Sequence, residues 1–572
     1  QNLASGSLSL QSDAYYLTHF HGDWAREMQL TEEKLTPGAK LIEEHHKDAK
    51  STMRDNPSFL LTLRKPADED SGETYAAALA WNGNYRIKFD VVHDGRLHIT
   101  AGTNPFLAER LLAPGETLTT PDLILTYSDT GRGQASRNLH DYARANALAH
   151  PSEPRAILLN SWEGAYFKFD ENVLTGMMDA AADAGIEMFV LDDGWFGNKY
   201  PRDNDKAGLG DWQVNTKKLP RGIGYLADYA VQKGLRFGIW IEPEMVNPKS
   251  ELAEKHPDWI LKSGTRDNPT SRTQWILDLA NPEVQDFVVK VFDDTVALSK
   301  NITYIKWDAN RSIMSPGSAF LPNDRQTHLW DDYTRGLDKV YQRIRQKHPD
   351  ITIQLCSSGG ARVNYGALRY HDEFWTSDNT SAHERVLMQY GTSMIYPPIA
   401  MAAHVSASPN HQTKRLLPMK FRFDVAMSGR LGVELNPSDI PDADMPAFRQ
   451  GIATYKRIRP IVQQGDLYRL HNPFDGDDRA ALMYVTKDKT ASVLFAYNMR
   501  YNGREHSLPI LLRGLDPAKK YKVEELNPDG KNRAFKSGGK TFSGDFLIKT
   551  GLTPRWTQRP YTSVVLLLTE AP

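Results

Sequence analysis

Cysteine is nearly absent. Cys356 is the only one in 572 residues, which excludes a disulfide framework and any thiolate metal cluster. Neither sign of charge is in excess, the net being -2, so there is no basic stripe for a nucleic-acid backbone. No apolar run approaches the ~20 residues of a membrane-spanning helix. The opening at Gln1 shows no basic start and no apolar signal segment. A cytoplasmic location is the expectation, with periplasm or export left open because the chain starts without Met. The histidines, His19-Phe20-His21 and His45-His46 among them, form no metal-ligand pattern. No metal or organic cofactor is implied, and neither nucleic acid nor membrane is expected as a partner.

What is present is an ordinary globular composition, 40% hydrophobic and 24% charged, enough for roughly two to four domains. Residues 1–135 carry short alternating runs such as Arg86-Ile87-Lys88-Phe89-Asp90-Val91-Val92, broken by Gly, Pro, Asn and Asp turns. That pattern predicts a β-sandwich. A helical linker follows over 136–154, and 155–465 alternates apolar strands with amphipathic helices, the signature of a parallel sheet. Residues 466–572 return to short strands and predict a C-terminal antiparallel β-sandwich domain.

Eight strands are predicted in the middle section: Ala156 to Asn160, Met188 to Leu191, Arg236 to Ile241, Thr303 to Trp307, Thr352 to Leu355, Glu373 to Thr376, Ser393 to Pro397 and Gly432 to Leu435. Eight strands close a (β/α)8 barrel. An open doubly wound sheet is the alternative, but it brings a Gly-rich phosphate loop after its first strand, and Ser161-Trp162-Glu163-Gly164 is not one.

Strand ends of a barrel converge on one face, where its chemistry sits. There stand Trp162, Asp192-Asp193-Gly194-Trp195, Trp240 with Glu242-Pro243-Glu244, Lys306 and Asp308, Cys356-Ser357-Ser358-Gly359-Gly360, and Ser377-Asp378-Asn379. Indole faces stack on the C–H faces of a sugar while carboxylates and lysine bind its hydroxyls, so the mouth suits a monosaccharide unit. Two carboxylates across the ring are the minimum for glycoside hydrolysis. Asp308, between Lys306 and Arg311, is expected to ionise easily and to serve as nucleophile. Asp378 has no adjacent Lys or Arg, so partial burial is expected to raise its pKa, as a general acid needs. For Asp308 alone, closing a strand with a local ion pair is an equal alternative. Trp162 and Trp240 serve equally as core-capping aromatics, Glu242 and Glu244 read as structural, and Cys356 reads as a lining thiol.

Lys306-Trp307-Asp308-Ala309-Asn310-Arg311, Leu191-Asp192-Asp193-Gly194-Trp195, Gly238-Ile239-Trp240-Ile241-Glu242-Pro243-Glu244-Met245, Cys356-Ser357-Ser358-Gly359-Gly360 and Trp375-Thr376-Ser377-Asp378-Asn379-Thr380 together resemble glycoside hydrolase family 36, chiefly its bacterial α-galactosidases. The resemblance covers the barrel strongly, the C-terminal domain loosely and part of the N-terminal supersandwich, so the chain looks shortened at its start. It implies a retaining α-galactosidase with Asp308 as nucleophile and Asp378 as acid/base. It further implies that Asp192 and Asp193 accept from the O4 and O6 hydroxyls, that Lys306 holds O3 and O4 with Arg272 and Asn310 nearby, and that Trp240, Trp162 and Trp375 line the pocket. Cys356 and Gly359 would form the wall at C2, which favours galactose over N-acetylgalactosamine. Ser381 departs from an acidic residue common in relatives, and altered hydrogen bonding or loop anchoring is expected there.

An α-galactoside is the expected partner, and a homo-oligomer is left open. The alternatives are an α-N-acetylgalactosaminidase, a galactosyl-transferring relative of the raffinose-synthase kind, and a non-catalytic carbohydrate-binding protein. The last predicts loss of one carboxylate, and both are present. The leaving group is not legible in the chain.

Overall fold

The computed structural model describes residues 4–46, 50–500, 508–528, 534–535, 539–556 and 559–572. The N-terminal strands form two antiparallel sheets. One has the order Gly6–Gln11, Arg96–Thr103, Tyr85–Val91, Lys40–His45, the other Gln29–Leu35, Tyr15–His21, Ser58–Leu63, Thr74–Ala80, Asp122–Ser128. Tyr85–Val91 buries alternate residues, and Tyr85, Ile87 and Phe89 meet Leu17, Phe59 and Leu61 across the sandwich. Ser58–Leu63 is buried at every position. Its second face packs through Leu60 with Leu139, Tyr365 and Tyr396, which fixes this domain to the barrel beside the fifth and sixth strand ends.

The barrel is closed. Its strands are β1 (Leu158–Asn160), β2 (Met188–Leu191), β3 (Arg236–Ile241), β4 (Ile302–Trp307), β5 (Thr352–Leu355), β6 (Glu373–Trp375), β7 (Met401–Ser406) and β8 (Arg430–Glu434). All neighbours are parallel, and Leu158 pairs with Gly432 to close the ring. β4 is buried at five of six positions, as a strand wrapped by helices must be. Helix α1 (Pro282–Ala297) starts as its sequence predicts. Asn281 Oδ1 accepts from the Glu283 N–H, Pro282 occupies the first turn, and Val284, Val288, Val291 and Phe292 form the buried stripe.

The seventh strand corrects the sequence reading. Ser393 to Pro397 is not a strand: the Ser393, Met394, Ile395 and Tyr396 amides donate to the Gln389, Gly391 and Thr392 carbonyls, as turns ending helix α2 (Ala382–Thr392). That run is apolar because Met394, Ile395 and Tyr396 pack in the cluster that joins the barrel to the N-terminal sheet. The strand begins after Pro397-Pro398, at Met401.

Among the described residues the C-terminal domain forms a six-stranded antiparallel sheet in the order Asp466–His471, Arg479–Val485, Ala491–Asn498, Thr562–Ala571, Lys520–Leu526, Thr541–Ser543. Leu482, Tyr484, Val493 and Phe495 share a core with Tyr455, Ile458 and Val462 of helix α3 (Met445–Gln464). Its other face covers Met483, Leu494, Tyr521 and Val523.

Candidate active site

At the C-terminal ends of the barrel strands lies a cavity of about 550 Å³. Asp192, Asp193, Trp162, Trp240, Arg272, Lys306, Asp308, Asn310, Cys356, Trp375 and Asp378 all line it. Every residue expected at the site except Gly359 is therefore on its wall. A larger cleft of about 1160 Å³, between the barrel flank and the C-terminal sheet, shares only Glu163 with it.

Asp308 immediately follows β4 and is 7% exposed. Its Oδ2 accepts from Asn310 Nδ2 at 2.7 Å and Trp240 Nε1 at 3.2 Å, its Oδ1 from the Ala309 amide at 2.8 Å and the Ser358 amide at 3.4 Å. Burial alone drives its pKa up. The Lys306 ammonium, the Asn310 amide, the Cys356 thiol and the Arg272 guanidinium together outweigh burial and hold it below the ordinary aspartate range. Lys306 acts on Asp308 as read along the chain, but Arg311 does not take the second place. Arg311 donates to the Gln274 and Pro269 carbonyls, while Arg272 reaches the cavity from the loop after β3.

Lys306 lies 2.8 Å from Asp192 Oδ2, with both side chains under a tenth exposed, and its ammonium stands 5.6 Å from the Trp375 ring centre. Burial works against its charge, yet Asp192 and the other acidic groups around it together outweigh burial, and the lysine stays protonated far above neutrality. Asn160 Nδ2 also donates to Asp192 Oδ2, at 2.8 Å. Asp193 is gripped by Arg202, whose Nε and Nη2 donate to its two oxygens at 2.9 and 2.7 Å, a fork geometry that fixes the carboxylate plane.

Asp378 is half-buried and sits three residues beyond the end of β6. Its Oδ1 accepts from Trp375 Nε1 at 3.1 Å and its Oδ2 from Trp24 Nε1 at 2.9 Å. Cys356 is buried, and burial beside Asp308 pushes its thiol far above its ordinary pKa, so it lines the wall as a neutral S–H. Gly359 stands behind the wall, which is formed by Ser358. It has φ +84°, and an added Cβ would lie 2.4 Å from Glu27 Oε1. Backbone conformation and crowding both require glycine there.

Two buried glutamates flank these carboxylates, Glu242 beside Asp308 and Glu434 on the cavity wall. Burial, with Asp308 adjacent, pushes Glu242 up to about 8, and its oxygens accept from the Asn310 amide and Gln274 Nε2. Burial likewise raises Glu434, which accepts from Asn160 Nδ2 and faces His404. Burial disfavours charge on both of these acids, whereas at Asp308 the cations and donors around it prevail over burial. Glu244 has no access to the cavity: Arg362, Trp307 and Tyr333 saturate it inside the fold. Ser381 occupies the N-cap of α2 with a buried hydroxyl that has no partner among the described residues.

Sequence reasoning missed Trp24, Lys50, Glu163, Ser358, His411, Gln412 and Glu434 on the cavity wall. Glu434 ends β8 and was findable by the strand-end rule. His411 and Gln412 follow β7 and were lost with that strand. Trp24 and Lys50 come from the N-terminal domain, where no local pattern marks them.

Models of known families match nearly the whole chain: the glycosyl hydrolase family 36 N-terminal domain over residues 1–113, melibiase over 117–465 and the family 36 C-terminal domain over 479–568. The α-galactosidase AgaA of Geobacillus stearothermophilus is 38% identical over 93% of this chain and 72% of its own length. Its crystal structure superposes with a TM-score of 0.93 over 99% of this chain and 76% of that one. Variants of it have been solved with 1-deoxygalactonojirimycin, raffinose and stachyose. The Lactobacillus brevis α-galactosidase structure, 33% identical, gives 0.94 over the full chain and 76% of its own. The chain spans about three quarters of the length of these relatives. With a closed barrel, flanking β domains and paired acids at one mouth, the chain belongs to glycosyl hydrolase family 36 and is a glycoside hydrolase built as the family's α-galactosidases are.

Proposed function

We propose that the protein hydrolyses terminal α-D-galactosides with retention, through a covalent galactosyl-enzyme on Asp308. The observation that carries this reading is the unequal setting of two carboxylates on one cavity wall. Asp308 is buried yet kept ionised by Lys306, Asn310, Cys356 and Arg272, whereas Asp378 is half-exposed on the same cavity wall.

In the first step Asp378 protonates the glycosidic oxygen as Asp308 attacks the anomeric carbon through an oxocarbenium-like state. In the second, Asp378 takes a proton from water and the water oxygen displaces Asp308. Asp192, Asp193 and Lys306 form a charged corner of the cavity, suited to an axial O4 and the neighbouring hydroxyls. Arg272 and Asn310 approach the ring from the Asp308 side, and Trp162, Trp240 and Trp375 supply apolar faces. Cys356 and Ser358 leave the C2 side small, which fits a hydroxyl better than an N-acetyl group. The raffinose and stachyose complexes of the Geobacillus relative support α-galactosyl oligosaccharides as the substrate class.

The test compares wild type, Asp308→Ala and Asp378→Ala on p-nitrophenyl α-galactoside and on the corresponding N-acetylgalactosaminide. Wild type should prefer the galactoside, and Asp308→Ala should lose at least about a thousandfold. Full activity in either variant would sink the mechanism, and preference for the acetylated substrate would overturn the specificity.

A further inference from the structure

Trp24 belongs to the N-terminal sandwich, in the turn between strands Tyr15–His21 and Gln29–Leu35, yet it donates to the acid/base candidate of the barrel. Each oxygen of Asp378 thus carries one indole N–H, Trp375 on Oδ1 and Trp24 on Oδ2. The turn that bears Trp24 is fastened to the barrel loop that bears Asp378. Asn379 Nδ2 donates to the Ala25 carbonyl at 3.1 Å, and Ser377 Oγ donates to Glu27 Oε2 at 2.5 Å. Glu27 is 3% exposed and pushed up to about 8 by burial. It is a neutral carboxyl wedged between the domains and lies against Gly359.

Core packing does not explain an indole at this position, because Trp24 is 54% exposed. Among the described residues its one polar contact within the site is Asp378. The other groups facing that carboxylate are Arg272 from the loop after β3, Cys356 after β5, Arg385 on α2 and Glu27. Gln412, from the loop after β7, donates to the Asp378 backbone carbonyl.

We propose that Trp24 is a positioning residue of the reaction: its N–H orients Asp378 and stabilises the ionised form that acts as base in the second step. The inference rests on Asp378 being the acid/base. A hydrogen bond to the charged form favours that form, so losing the donor weakens both the hold on the carboxylate and its action as base.

Trp24→Phe keeps the aromatic bulk and removes only the donor. The kcat/KM profile of the variant on melibiose, whose alkoxide leaving group needs a proton, should have its alkaline limb displaced upward by about half a pH unit or more. kcat/KM for α-galactosyl fluoride, whose departure needs no proton from Asp378, should stay at the wild-type value. Glu27→Ala, which frees the turn, should displace the limb in the same direction, and Glu27→Gln, a neutral isostere, should restore most of the wild-type profile. An unmoved limb with unchanged rates means that the contact is idle. An unmoved limb with only the melibiose KM raised means that Trp24 is a platform for the leaving sugar. Either result overturns the proposal. Full activity in Asp378→Ala is a separate result, which removes the acid/base reading itself.

Discussion

Lys306 Nζ and Asp192 Oδ2 stand 2.8 Å apart in the cavity floor, and this pair connects the sugar-binding corner to the nucleophile. The lysine is the largest source of positive charge acting on Asp308. Replacing it by Met therefore removes a substrate donor and the field that keeps Asp308 ionised against burial. Asp308 is held below its ordinary value, so loss of Lys306 raises it. The acidic limb of kcat/KM should move upward by about one pH unit, with a fall of roughly a hundredfold or more. An acidic limb that stays in place would show that the charge of Lys306 does not act on Asp308.

Glu242 lies beside Asp308 with its pKa pushed to about 8 by burial. At neutral pH it is protonated, and above that range it ionises against the nucleophile. Glu242→Gln keeps a neutral acceptor for the Asn310 amide and should retain activity within about tenfold, with a flatter decline above pH 8. Glu242→Ala leaves that buried amide unpaired, at about 1–3 kcal/mol, and should lose more. Equal activity of the two variants across the pH range would contradict this role.

Asp372 ties the linker to the barrel floor. It is buried and accepts from Arg345 Nη2, the Ile353 amide and His150. Burial raises its pKa, but His150, Arg345 and Arg155 prevail and hold it far below the aspartate range. A carboxylate depressed in the folded state contributes stability above its unfolded pKa, and loses it as pH falls through the folded value. Asp372→Asn should cost about 3–5 kcal/mol at pH 7, read as a lower Tm. The gap should narrow progressively below about pH 4. A gap independent of pH would assign the loss to packing.

The barrel was legible because each correct strand is a short apolar run ending in polar residues, and Asp192, Asp308 and Asp378 follow such runs while Lys306 stands at the end of one. Met401–Ser406 was missed because Ser393–Tyr396 is equally apolar. Those residues are buried by the N-terminal sheet, a tertiary contact without periodicity. Trp24 and Asp378, 354 positions apart, meet only after two domains dock. The pair of buried glutamates was hidden for a related reason. Glu242 and Glu434 stand at strand ends as Asp308 does, and what separates Glu242 from Asp308 is the set of cations and donors that the fold gathers around Asp308.

The most direct test of the account is to trap the intermediate with a slow fluorinated galactosyl fluoride and locate the label by peptide mass spectrometry. One fluorogalactosyl residue esterified to the peptide containing Asp308 is expected, with no label in Asp308→Ala. A label on any other side chain, or turnover without a trapped ester and with β-galactose as the first product, would contradict it.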